Sequence, residues 1–440
     1  MPCQKGFGRC EIVAPPKCGG STASKGRKIA YYQAGNVERS CQAISPSQIN
    51  TTGLTHLILA FASIDPKSFI VTARNTADID LYPKFTKLKT KKLQTWIAIG
   101  GGSFSSRESK TYTTWSDMVS SANNRATFVK SLVAFLRLWG FQGVDLDWEF
   151  PGIDTGGQTT DLVNFVALAK EIRSAFGKKY GLSVSLPPDF ASLRKFEPKA
   201  LEPYVDFFGL MAYDLHGPWD ASNLGKFIRP QTALPEIETS ALPLWYDAVS
   251  PSKINLGLAY YGRGYTVSST SCMGIDCAYT QPSIQGPCTR SPGLLSLREI
   301  EGLIARRKLV PKLLAEQGIK QLTWDNQWMG YDDFETMALK MKWADSRCLG
   351  GTSVWSIDMH SGAGSIPFGD NSGDPNPKSW DTPVVSTAPL VKSPDATCGT
   401  GTNYTCLSST FGNCCSLHGY CGSAAAYCGT GCQAGFGKCS

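Results

Sequence analysis

Long apolar runs are missing from this 440-residue sequence. No eighteen consecutive residues are apolar, which excludes a membrane-spanning hydrophobic helix, and Met1-Pro2-Cys3-Gln4-Lys5 opens without the apolar core of a secretory leader. Histidine is scarce. His56, His216, His360 and His418 are the four present, none spaced as metal ligands, so no metal and no cofactor is expected. Excess positive charge is confined to the ends: of the net +7, Lys5, Arg9, Lys17, Lys25, Arg27 and Lys28 stand against Glu11 near the start, and Lys438 lies near the end. The body is close to neutral and carries no basic stripe interleaved with aromatics, which excludes a nucleic-acid footprint. With 42% hydrophobic and 18% charged residues the chain can bury a large core, so wholesale disorder is excluded too.

Cysteine, by contrast, is abundant. Eight of the sixteen lie between Cys398 and Cys439, the density of a disulfide scaffold in an oxidising compartment. Oxidised cysteines need an export route, and an internal repeat reconciles this with the absent leader. Cys3-Gln4-Lys5-Gly6-Phe7-Gly8-Arg9-Cys10 matches Cys432-Gln433-Ala434-Gly435-Phe436-Gly437-Lys438-Cys439 in kind at every position but one. Residues 1–17 are therefore expected to be the remnant of a second cysteine-rich module, in a piece of a longer exported protein that is extracellular or associated with a cell wall. Residues 366–396, with Pro367, Pro375, Pro377, Pro383, Pro389 and Pro394 among Ser, Thr, Asp and Gly, are expected to be a linker. The module itself is placed at 397–440.

Between 18 and 365 short apolar runs recur: Lys28–Tyr32, His56–Phe61, Thr95–Ile99, Gly143–Asp147, Leu182–Leu186, Phe207–Ala212, Ile254–Ala259 and Gly351–Trp355. Amphipathic stretches such as Phe128–Leu138 and Leu162–Phe176 carry apolar residues at helical spacing between them. This alternation predicts an α/β fold, a (β/α)8 TIM barrel, with an insertion over 266–325 before the last strand.

In Phe141-Gln142-Gly143-Val144-Asp145-Leu146-Asp147-Trp148-Glu149-Phe150-Pro151, three acids alternate with apolar residues. On a strand such alternation puts Asp145, Asp147 and Glu149 on one face at ~7 Å spacing, with Glu149 toward the C-terminal mouth where barrel enzymes place their chemistry. Acids stacked in a low-dielectric interior cannot all ionise freely, so at least one is held protonated, as a general acid near neutral pH requires. A solvated strand face or a hard-cation site would use the same residue types.

The segment resembles the DxxDxDxE signature of family 18 glycoside hydrolases. Tyr31, Ala98-Ile99-Gly100-Gly101, Met211-Ala212-Tyr213-Asp214, Tyr261-Gly262-Arg263 and Val354-Trp355-Ser356 fall where that family has its strand 1 Tyr, SxGG, MxYD, FYGR and terminal Trp motifs. The cysteine-bearing insertion (Cys272, Cys277, Cys288), Trp324-Asp325-Asn326 and Tyr331-Asp332-Asp333 resemble the fungal, killer-toxin-like branch of these chitinases. The resemblance implies a retaining mechanism in which the substrate's 2-acetamido carbonyl attacks the anomeric carbon. In it Glu149 is the acid and then the base, Asp147 stabilises the oxazolinium-like intermediate, and Asp145 shares a proton with Asp147. Tyr213 donates to the acetamido oxygen, and Asp214 supports the distorted sugar. Trp355 forms the floor under that sugar, Trp219 stacks on the leaving-group side, and Tyr31, Tyr261 and Arg263 complete the binding groove. On residue type alone Trp219 and Trp355 serve equally as core aromatics, Tyr213 as a hydrogen-bonded core tyrosine, and Arg263 as a structural ion-pair member. Three positions depart from the family pattern: Gln142 replaces the first Asp, Ala98 the Ser of SxGG, and Gly102 a loop Trp. The first two bear on how Asp145 is supported, the third on stacking in a leaving-group subsite.

The tail cysteines resemble the pattern of hevein-like chitin-binding modules, which implies pairing of Cys398 with Cys415, Cys406 with Cys421, Cys414 with Cys428 and Cys432 with Cys439. Its sugar site maps to Ser416, His418, Tyr420 and Tyr427; a cysteine-rich knot with no ligand is the alternative. Of the other cysteines, Cys18 is expected to pair with Cys41, and the pairing of Cys272, Cys277, Cys288 and Cys348 stays open. Asn50-Thr51-Thr52 and Asn403-Tyr404-Thr405 are glycosylation sequons. The partners implied are chitin and chitooligosaccharides, bound by a monomer without nucleic acid or membrane; an endo-acting chitinase is expected. Two other functions would use the same residues: a silent chitin lectin or toxin subunit, and an endo-β-N-acetylglucosaminidase.

Overall fold

A computed structural model describes residues 14–152, 156–360, 390–399, 404–416, 419–429, 432–433 and 435–439. Cys3 and Cys10, and with them most of the expected remnant at 1–17, lie outside the described residues, as does the expected linker up to residue 389. The chain divides near residue 372 into two compact units, each taken by itself below.

The larger unit is a closed parallel barrel. Its strands are β1 (Arg27–Gln33), β2 (His56–Ile64), β4 (Gln94–Gly100), β5 (Gly143–Asp147), β6 (Gly181–Leu186), β7 (Phe207–Leu210), β8 (Ile254–Ala259) and β15 (Gly351–Trp355), with β3 (Val71–Ala73) folded back on β2. All eight expected runs are strands. Closure comes from β1, which pairs with β2 (Ile29↔His56) and with β15 (Arg27↔Gly351). A strand covered on both faces must be apolar almost throughout, and β2 (HLILAFASI) is of that kind.

Helices α1 (Thr76–Thr86), α2 (Thr114–Val119), α3 (Ala122–Trp139), α4 (Asp161–Phe176), α5 (Phe190–Leu193), α6 (Pro198–Leu201) and α7 (Leu234–Tyr246) join the strands up to β8. In α3 the Ser121 side chain accepts the Asn124 N–H, and Gly140 ends the helix at φ 77°. The helix starts before the apolar stripe read from sequence, because its first turn, Ala122-Asn123-Asn124-Arg125, is set by that cap and carries no apolar periodicity. Phe128, Leu132 and Leu136 of α3 and Phe165, Leu168 and Ile172 of α4 belong to the same buried core, each worth roughly 1.5–3 kcal/mol by burial.

The insertion is wider than 266–325. An antiparallel sheet β10 (Tyr279–Pro282), β9 (Tyr261–Val267), β14 (Gln327–Tyr331), β13 (Ile319–Trp324), β12 (Lys312–Leu314), with β11 (Leu294–Ser296) on β9, begins one residue after β8 and runs to Tyr331. Helix α8 (Leu297–Arg307) lies within it, and α9 (Phe334–Ser346) leads back to β15. An insertion must return the chain to where it left; pairing of its outer strands, Gln327↔Thr266 to Gly330↔Arg263, does this, so those strands belong to it.

The expected Cys18–Cys41 bridge is not formed. Cys18 pairs with Cys348, Cys41 with Cys288, and Cys272 with Cys277. Barrel closure explains the first: β1 beside β15 brings the chain before residue 27 against the end of α9, where the Cys18 N–H donates to the Ser346 C=O at 3.0 Å. Nearness in sequence misled, since topology decides which thiols meet. Among the described residues no helix is long and apolar enough to cross a membrane.

In the smaller unit all four bridges implied by the resemblance are present: Cys398–Cys415, Cys406–Cys421, Cys414–Cys428 and Cys432–Cys439. Its buried cluster is Cys398, Cys406, Cys415 and Cys421 with Phe436 packed on it. Short strands β16 (Val391–Lys392) and β17 (Tyr404–Thr405) pair in parallel, and β18 (Cys414–Cys415) pairs antiparallel with β19 (Cys421–Gly422), before a turn of helix α10 (Ala425–Cys428). β16 lies inside the range read as linker, which therefore ends earlier than residue 396. A two-residue strand has no periodicity to read.

Candidate active site

The barrel floor explains why the acids sit where they do. Trp96 of β4 fills the lower interior, stacked on Phe207 at 5.1 Å between ring centroids. It lies against Gly143 and Gly181, where any Cβ would collide with the indole. Above it the inward positions are small: Ala98, Ser183, Ser185 and Gly209. They leave room for two carboxylates.

Asp145 is fully buried and held on three sides, accepting from Ser183 Oγ at 2.6 Å, Ser185 Oγ at 3.0 Å and Tyr31 Oη at 3.0 Å. Burial raises its proton affinity and these three donors oppose the rise. Ala98, level with Asp145 across the strand pair, contributes no donor, so the support comes from β6 and β1 instead. Gln142 accepts the Thr95 N–H at 3.2 Å and so fastens β5 to β4.

Asp147, the next inward residue, is also buried. Its Oδ1 has no hydrogen-bond partner among the described residues, and burial, then Glu149 and Asp145, push its proton affinity well above the carboxylate range. Glu149 lies two residues beyond the end of β5, with its carboxyl in the cavity. Burial first, then the negative charge of Asp214, raise its pKa to about 7, while a backbone hydrogen bond from Gly102 pulls it back. A Cβ on Gly102 would lie 3.5 Å from both Glu149 carboxyl oxygens, so the missing loop side chain leaves that face of the acid open.

Asp214 follows β7 and takes a fork of donors: Arg263 Nε at 2.9 Å and Tyr261 Oη at 2.8 Å on Oδ1, and Arg263 Nη2 at 2.7 Å on Oδ2. The same guanidinium stands over the Trp219 ring at 4.9 Å. Tyr213 is half-buried beside Asp147, Glu149 and Asp214; desolvation of its hydroxyl first, then their charges, hold that hydroxyl neutral and able to donate at any ordinary pH.

The cavity has a volume of about 550 Å³. It gathers Glu149, Asp147, Tyr213, Asp214, Tyr261, Tyr31 and Trp355 from the C-terminal ends of the strands. Trp355 is half-buried against Tyr31 and Phe61, both at 5.6 Å. Asp145 lies below the cavity behind Tyr31, whose hydroxyl is committed to it. Arg263 stands behind Asp214, and Trp219, 49% exposed, occupies a ledge outside the cavity lining. Sequence reading missed Ser183 and Ser185, although their alternation on β6 was the available signal. It also missed Arg74, which reaches the cavity rim through the β2–β3 hairpin while pairing with Glu38 and Asp78. Nothing local in the sequence announces that reach.

In the smaller unit Tyr420 is 53% exposed, Tyr427 packs its ring on Gly422, and buried Ser416 accepts the Tyr420 N–H through Oγ at 3.3 Å. His418 lies outside the described residues.

The chain matches the family "Glycosyl hydrolases family 18" over residues 27–360. Mouse chitotriosidase-1 is 34% identical over 73% of this chain and 70% of its own length. An active chitinase of Trichuris suis, described as immunomodulatory, superposes with a TM-score of 0.69 at 25% identity, covering 77% of this chain and 94% of that one. Human YKL-39, a pseudo-chitinase with retained chitooligosaccharide binding, superposes with a TM-score of 0.66 at 26% identity, over 76% of this chain and 93% of that one. The barrel, the acid ladder on β5 and the matched span through His360 agree: this chain belongs to family 18 of the glycosyl hydrolases.

Proposed function

We propose that this protein hydrolyses β-1,4 linkages between N-acetylglucosamine units of chitin and its oligomers, with retention and with the substrate's acetamido group as nucleophile. The observation that carries the reading is Glu149, a cavity carboxyl poised to be protonated near neutral pH, beside an Asp147 oxygen with no partner. Glu149 gives its proton to the glycosidic oxygen as the bond to the anomeric carbon breaks, and the acetamido carbonyl oxygen bonds to that carbon. Asp147 Oδ1 accepts from the acetamido N–H, and Tyr213 Oη donates to the acetamido oxygen. Glu149, now ionised, takes a proton from the water that opens the intermediate. The stacked floor of Trp355 suits the CH face of a sugar. Seven bridges among the described residues fit an exported protein, and the insertion motifs support placement in the fungal killer-toxin-like branch. The small unit acts as a chitin-binding module with Tyr420 and Tyr427 on its sugar face, and the chain works as a monomer.

The stereochemistry of hydrolysis tests this directly. Proton NMR of chitotetraose during turnover is expected to show the β-anomer first; the α-anomer first, or no product, overturns the proposal. Because the acid must be protonated, kcat on soluble oligomers is expected to fall about tenfold per pH unit above about 7. A rate that stays flat to pH 9 contradicts the assignment of Glu149. Trp219→Ala is expected to raise KM for chitotetraose about tenfold with kcat changed less, the effect of losing one exposed stacking ring. An unchanged KM removes Trp219 from the groove.

A further inference from the structure

Asp214 has φ 55°, the left-handed region, which costs a non-glycine residue about 1–3 kcal/mol unless its surroundings hold it there. Gln231, in the segment before α7 and 1% exposed, provides that hold. Its side-chain Oε1 accepts the Asp214 N–H at 3.3 Å, its Nε2 donates to the Tyr261 C=O at 3.0 Å, and its own backbone C=O accepts the Leu215 N–H at 3.0 Å. The amide orientation follows from its partners, since an N–H on one side and a carbonyl on the other admit only one placement of oxygen and nitrogen. A single buried side chain thus ties the loop that supplies Asp214 to the start of β9, which supplies Tyr261, and Tyr261 in turn donates to the Asp214 carboxylate at 2.8 Å.

We propose that Gln231 is a positioning residue: it fixes the Asp214 backbone in the left-handed conformation and so aims the Asp214 carboxylate into the catalytic cavity. The proposal rests on the glycosidase reading of that cavity. Gln231 does not line the cavity, so its effect passes through Asp214. The charged and titratable groups facing Asp214 are Arg263, Tyr261, Tyr213 and Glu149, and those facing Glu149 are Asp147, Asp214 and Tyr213. Of these groups Asp214 and Tyr261 are the ones tied to Gln231 directly. When Asp214 is released its carboxylate turns away from the cavity, and the proton affinity of Glu149 that its charge helps to raise falls.

The test uses the full chain with Gln231→Met, which keeps the length of the side chain and deletes both hydrogen bonds. Titration of Glu149 is followed by carbon-13 NMR of glutamate-labelled protein and assigned by its loss in Glu149→Gln, so the readout does not depend on turnover. The midpoint is expected to fall by about half a unit to one unit. On chitotetraose kcat is expected to drop about ten- to a hundredfold with KM within about threefold. In an Asp214→Asn background the same replacement is expected to move the midpoint no further. A folded Gln231→Met protein with an unmoved midpoint and wild-type kcat overturns the proposal, as does an equal shift in the Asp214→Asn background. Should Gln231→Met not fold, Gln231→Asn, too short to reach both partners, is expected to give the same downward shift; a wild-type midpoint there also overturns it. If the wild type has no turnover but the midpoint still shifts with Gln231, the positioning role is supported and only the glycosidase reading falls.

Discussion

Replacing Glu149 by Gln is expected to lower kcat on chitooligosaccharides by about 10³-fold or more, at the upper end of what a positioned general acid supplies, while KM stays within about threefold. The measurement is release of soluble N-acetylglucosamine oligomers from chitin and from chitotetraose. The same substitution is expected to stabilise the fold. An acid whose pKa rises from 4.5 to about 7 on folding is ionised in the unfolded chain before it is ionised in the native one. Native stability therefore falls as pH rises from about 4.5 through about 7, and the full penalty applies above that. The shift amounts to on the order of 3 kcal/mol, with the neighbouring Asp147 sharing in it. Gln at 149 removes this penalty, so the melting temperature of the variant is expected to exceed that of wild type at pH 8 and to match it at pH 4. Lost activity with gained stability marks a group kept for chemistry at a cost to the fold. A wild-type protein as inactive as Glu149→Gln would sink the enzyme reading and leave a silent chitin-binding protein, comparable to YKL-39 as a pseudo-chitinase with retained chitooligosaccharide binding.

The second large effect is expected in the smaller unit. Among the described residues its buried centre consists of four half-cystines with Phe436 against them, with almost no apolar core to keep it folded without the bridges. The Cys406–Cys421 bridge spans 15 residues, and a loop of that size is worth about 3 kcal/mol. For so small a unit that is a sizeable part of all the stability it can have. The double substitution Cys406→Ser with Cys421→Ser is expected to unfold it and to weaken retention on insoluble chitin by about a hundredfold, the scale of affinity that a tethered second site adds. Hydrolysis of soluble chitotetraose is expected to stay within about twofold of wild type. Full retention on chitin after the unit has unfolded would show that it holds no sugar site.

The barrel was legible because its information is local. Each strand is an apolar run, and the acid ladder Asp145, Asp147, Glu149 announces its own face by alternation. What could not be read depends on closure. That Cys18 meets Cys348 follows only once the ring is complete, whereas the hold of Ser183 and Ser185 on Asp145 and the reach of Gln231 to Asp214 and Tyr261 follow from which strands and loops come to lie side by side. The edges of the insertion were misplaced for a related reason. β9 and β14 have patterns like those of barrel strands, and only their mutual antiparallel pairing assigns them to the insertion.

The Cys18–Cys348 bridge makes the barrel a covalent ring, since every barrel strand but the last lies between the two joined residues. A protease that cuts any exposed loop within that span, such as the turn at Thr51-Thr52-Gly53, leaves one molecule whose fragments remain linked and can stay packed. Two cuts are needed to release a piece, and Cys41–Cys288 closes a second ring inside the first. In any medium that contains proteases, a nick in this chain is a scar and not a break until the bridges are reduced.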